Sequence, residues 1–126
     1  MPRKILLEKN IHPAIQSVIS NNNSDIVTEV QEAVANSKVV VIGMAQNPRP
    51  KKARKMLKEL GIEHKYLEYG NYFNTWYRRN ALKMWTGWPT FPMIFINGML
   101  IGGTEDLHRL IEEDEFSDLL KTSQAD

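Results

Sequence analysis

Cysteine is missing from all 126 residues. Its absence excludes disulfides, thiolate catalysis and cysteine-ligated metal clusters built from this chain's own side chains. Long apolar runs are missing as well, and nothing approaches the roughly 20 residues that span a bilayer. The opening MPRKILLEKNIHP turns polar too soon after Ile5, Leu6 and Leu7 to act as a secretory apolar region. A cytoplasmic protein without membrane contact is therefore expected. Internal repeats, low-complexity tracts and composition breaks are also missing, so one domain is expected. His12, His64 and His108 are too far apart for metal-ligand spacing, and no metal site is expected.

What is present suits a single core, at 42% hydrophobic and 25% charged. The net charge is only +1 but is unevenly spread. Arg49, Lys51, Lys52, Arg54, Lys55 and Lys58 crowd one segment, while Glu105, Asp106 and the run Glu112–Glu115 load the far end with acid. A bipolar molecule follows, with an anion welcome at its basic part.

Residues 1–24 read as a peripheral N-terminal arm, 25–120 as the domain and 121–126 as a flexible tail. HPAIQSVI forms a short helix, and Ser24 or Asp25 caps a second one whose Ile26, Val27, Val30 and Val34 follow helical spacing. KVVVI at 38–42 is a buried central strand. The basic helix comes next, with Ala53, Met56, Leu57 and Leu60 as its apolar face and Gly61 as its stop. HKYLEY at 64–69 is a second strand. The following helix places Phe73, Trp76, Tyr77, Asn80, Ala81 and Met84 on one side and ends at Gly87. Trp76, Tyr77 and Trp85 belong mostly to the core, and Trp88 to core or rim packing. MIFI and MLI around Asn97-Gly98 give a clear hairpin signal, and Gly102-Gly103 leads into a helix with Leu107, Leu110 and Ile111 inward. A parallel βαβ start and an antiparallel hairpin end predict an α/β sandwich.

The stretch TGWPTFPMIFINGMLIGGTEDL, residues 86–107, closely resembles the corresponding part of glutaredoxins, especially the monothiol branch with its Trp-Pro-Thr-Phe-Pro run. The resemblance runs over about residues 25–115. It implies a thioredoxin-like three-layer sandwich: a four-stranded mixed sheet with helices on both faces. In that family the loop after the first strand carries the reactive cysteine. Here NPRP fills those positions, with Asn47 in place of the nucleophile and Pro50 in place of the second cysteine or serine. Asparagine is among the best N-cap residues, so NPRP is a coherent helix start with Pro48 at its first position.

The resemblance also implies a glutathione groove. Thr90 and Phe91 would pair with the tripeptide backbone, and Pro92 would be the cis-proline. Arg79 would meet the glycine carboxylate. Gly103, Thr104 and Glu105 would meet the γ-glutamyl end, Glu105 standing where an aspartate is usual. Met44 replaces a usual lysine, and Lys51 or Arg49 can compensate. Lys51 and Lys52 near a helix N-terminus oppose its dipole by about 0.3–1 kcal/mol each, which a bound anion offsets.

The reading that follows is a redox-inactive binding module for glutathione, a similar small anion or a protein partner, with no cofactor required and no iron–sulfur cluster. An alternative is a glutathione-dependent transferase in which the substrate thiol does the chemistry, helped by the Asn47 amide or by the side chain or backbone N–H of Arg49, with Thr104 less well placed; no general base is evident for it. A nucleic-acid module using the basic helix is disfavoured by the small net charge and the lack of an aromatic–basic platform.

Overall fold

The computed structural model describes residues 3–21, 24–44, 48–69 and 76–121, with side chains of the last stretch described from Arg79 onward. Asn47, Phe73, the side chains of Trp76 and Tyr77, and the tail 122–126 lie outside the described residues. A 3-10 turn at Glu8–Asn10 precedes α1 (Pro13–Asn21) and α2 (Ser24–Asn36), so Ser24 is already helical. Then follow β1 (Val39–Gly43), α3 (Pro48–Glu59), β2 (Lys65–Glu68), α4 (Trp76–Thr86), β3 (Met93–Ile96), β4 (Met99–Gly102), α5 (Thr104–Glu112) and α6 (Phe116–Lys121).

The sheet order is β2-β1-β3-β4, with β1 parallel to β2 and the other two pairings antiparallel. β1 is central and β-branched, and all five of its residues are buried because helices cover both of its faces. Alternation divides its side chains. Val40 and Ile42 join Ile26, Val30 and Leu82 under α2 and α4. Val39 and Val41 join Ala53, Leu57, Leu107 and Phe116 under α3, α5 and α6. This is the thioredoxin-like α/β sandwich, a four-stranded mixed sheet between two helical layers.

The turns follow their residues. Asn97 at φ 50° and Gly98 at φ 82° make the tight β3–β4 hairpin. The Asn97 amide also donates to Leu119 O and Leu120 O at 2.7 and 2.9 Å, tying the hairpin to the end of α6. α3 stops as expected at Gly61, φ 72°, with Ile62 N–H returning to Leu57 O at 2.9 Å and Gly61 N–H to Lys58 O at 3.0 Å.

Three expectations are corrected. Leu60 is 49% exposed, because α3 ends at Glu59 and Ile62 takes over the contact with Leu57. Met84 is 68% exposed, while Arg79 and Leu82 are buried. The inward face of α4 is thus rotated by about one residue, roughly 100°, from the assigned one. Trp85 is 36% exposed rather than core, lying over Phe95 with ring centroids 6.2 Å apart.

Candidate functional site

The β1 strand ends at Gly43, and α3 begins at Pro48, with Pro48 and Arg49 exposed and Pro50 buried. The fit of Pro50 depends on Gly43. A Cβ there would lie 2.7 Å from Pro50 Cγ and 2.9 Å from the Tyr66 hydroxyl. Pro50 therefore caps the end of the central strand and packs as an apolar residue. The two prolines also lack N–H groups, so the start of α3 offers fewer free donors than an ordinary helix start.

The start of α5 lies beside it. Thr104, 6% exposed, donates its hydroxyl to Arg49 O at 2.9 Å across the two helix starts. Gly103 N–H donates to Asp106 Oδ2 at 2.9 Å, the reciprocal half of an N-terminal cap. Gly102 is at φ 111°, and a Cβ on it would lie 2.5 Å from Asp106 Oδ2. Glycine is needed there for both conformation and space. Glu105 is exposed at the first turn of the helix.

The loop before β3 packs against the glycine turn. The Phe91–Pro92 peptide is cis. Phe91 and Pro92 are buried and Thr90 is exposed. A Cβ on Gly103 would lie 3.5 Å from Pro92 O and 3.9 Å from Trp88 Nε1, so this loop and the glycine turn are in close packing. Trp88 packs against the core as expected, and its buried Nε1 finds no acceptor among the described residues. The Lys83 ammonium stands 5.8 Å from the Phe91 ring centre.

The fold thus brings together Pro50, Phe91, Pro92, Gly103 and Thr104, with Thr90 and Glu105 exposed on the same two segments. Arg79 is 5% exposed within α4 and engaged by another group, as a buried guanidinium must be. Met44 is buried in the core with Ile42, while Arg49 and Lys51 remain at the surface.

A polar cluster beside the site was not anticipated. Arg54 lies over the Tyr66 ring, 4.1 Å from its centre, and the Tyr66 hydroxyl donates to Glu68 Oε1 at 2.9 Å. Burial, followed by the Glu68 hydrogen bond and charge, pushes the Tyr66 phenol up to about 12. Arg54 Nε also donates to His64 Nε2 at 3.4 Å. Burial above all, then the Arg54 and Lys58 charges, hold His64 below its usual value, against a raising contribution from Ile62 O. The signal available in the sequence was the two-residue alternation of Tyr66 and Glu68 along one face of β2.

Comparison with known proteins places this geometry. A family model described as glutaredoxin matches residues 39–101. A glutaredoxin-like protein of Dictyostelium discoideum is 47% identical over 120 residues, covering 94% of this chain and 96% of its own. Human mitochondrial glutaredoxin-2 is 33% identical over 102 residues, 77% of this chain, and the match spans 59% of the human protein. The crystal structure of a buckwheat glutaredoxin–glutathione complex shares the fold at a TM-score of 0.69 and 21% identity, covering 79% of this chain and 91% of its own.

Proposed function

Because the chain belongs to the glutaredoxin family, we propose that it is a redox-inactive member of it, a binding module that holds glutathione, or a protein partner, in the groove between α3, the cis-Pro92 loop and α5. The reading rests on one observation. The walls of the groove are tied together, by Thr104 to Arg49 and by Gly103 against Pro92, in a chain that has no thiol.

Thiol–disulfide exchange begins with attack by a thiolate. This chain supplies none, and it supplies no thiolate ligand for a cluster. Binding does not need that sulfur. The exposed Thr90 backbone can pair with an extended peptide, as a sheet edge does. At the start of α5 the first-turn N–H groups favour a carboxylate, while Glu105 and Asp106 favour an ammonium. A γ-glutamyl end carries both charges. The buckwheat structure, a glutathione complex on the same fold, supports this choice of ligand. The transferase alternative loses one of its donors, because the Thr104 hydroxyl is committed to Arg49 O.

The test pairs calorimetry with reduced glutathione and an assay for reduction of a glutathione–peptide mixed disulfide. A saturable heat, weakened by Glu105→Lys, and no turnover above buffer are expected. Turnover would contradict the inactive reading, and the absence of heat at millimolar ligand would contradict the binding one.

A further inference from the structure

The segment before the 3-10 turn, residues 3–7, reaches the turn through an extended Leu7 and has every residue exposed. Ile5, Leu6 and Leu7 are 65%, 66% and 55% exposed. Neither the turn nor α1 buries any residue. The arm's one described hydrogen bond to the body runs from Arg3 Nη1 to Thr86 O, exposed and 3.2 Å long. Three adjacent apolar side chains held this openly in water are costly to leave uncovered.

A complementary surface lies elsewhere on the same chain. β4 is the last strand of the sheet, and no strand pairs with its outer edge among the described residues. Along it runs a groove of about 550 Å³, with Met99, Leu100, Ile101, Leu110 and Leu119 as its apolar lining. Its rim carries Asp106, Glu113, Glu115 and Asp118 against a single cation, Arg109. The arm has the opposite pattern: Arg3, Lys4 and Lys9 flank Ile5-Leu6-Leu7, with Glu8 as the one acid.

We propose that residues 3–7 of one copy, the stretch before the 3-10 turn, add as a strand to the β4 edge of a second copy, and reciprocally, giving a dimer with exchanged arms. Strand addition supplies the backbone pairing that an edge lacks, and side-chain alternation supplies the fit. A period of two directs Ile5 and Leu7 to one side and Leu6 to the other. β4 is apolar on both, with Ile101 in the α5–α6 cluster and Leu100 in the α2–α4 cluster. The acidic rim then faces the flanking cations, which favours docking and makes it salt-sensitive.

Sedimentation of the full chain across the micromolar range tests this. Wild type should dimerise with increasing concentration. Leu6→Glu should raise the dissociation constant by roughly tenfold or more, the loss of one buried leucine. Lys4→Glu and Glu115→Lys should each weaken the dimer, and their combination should restore it. Because Leu6 is exposed in the single copy, circular dichroism of Leu6→Glu should match wild type. In a mixture of labelled and unlabelled protein, isotope-filtered NMR should give contacts between Leu6 or Leu7 methyls and Leu100, Ile101 or Leu119 methyls of the other copy. A chain that stays monomeric, a dimer indifferent to both Leu6→Glu and the charge exchange, or arm–groove contacts confined to one copy would each overturn the proposal.

Discussion

At Gly43 the strand leaves no room for a side chain because Pro50 and Tyr66 both close on its α-carbon. Pro50 is thus a packing residue, and its partner is a glycine at the end of the central strand. Gly43→Ala should destabilise by about 1–3 kcal/mol, the range for overpacking a closed site. Urea unfolding measures it. Pro50→Gly in the same background should recover part of the loss, since Pro50 Cγ and Cβ make the two nearest contacts, at 2.7 and 2.8 Å. Equal losses with and without Pro50 would show that the crowding lies elsewhere.

Between elements, two contacts carry specific consequences. Thr104 joins the starts of α3 and α5, so Thr104→Val should cost about 1–3 kcal/mol for a buried hydrogen bond left half made. It should also weaken glutathione binding, because the two helix starts form facing walls. Calorimetry on the folded variant measures the second effect. His64, between α3 and β2, gives a pH signature. Its folded pKa is lowered from 6.5, burial being the first cause. The unfolded chain therefore takes up a proton that the folded chain resists. The stability from this group is full above pH 6.5 and is lost as pH falls through the lower folded value. His64→Gln should flatten that part of the profile, and Arg54→Gln should raise the His64 titration midpoint partway, read by NMR.

The same elements show what a sequence discloses. Val39–Gly43, the Asn97-Gly98 hairpin and the Gly61 stop follow from local chemistry: β-branching, positive φ and a helix with no further place for its carbonyls. Pro50, Phe91, Pro92, Gly103 and Thr104 were picked out by resemblance, and the fold brings them together. The phase of α4 was not readable, because Trp85 and Met84 are as apolar as the buried Leu82 and nothing local ranks them. Nor could spacing show that Thr104 would bind Arg49, 55 positions away, or that Arg3 would reach Thr86. Such pairs are fixed only once the sheet has assembled.

Over the whole molecule, the basic α3 and the acidic end of α5 make a bipolar particle with a net charge of only +1. Among the described residues no helix is long and apolar enough to cross a membrane. The proposed groove lies at the starts of α3 and α5 of a chain with no cysteine, so the proposed function depends on whether ligand binds there without a protein thiol. The most direct measurement is an NMR titration of isotope-labelled protein with reduced glutathione, repeated with S-methyl glutathione. Saturable shifts at Thr90, Phe91, Gly103, Thr104 and Glu105, equal for the two ligands, are predicted, because the thiol has no partner to meet. Absence of shifts at millimolar ligand, or binding that requires the free thiol, would contradict the account.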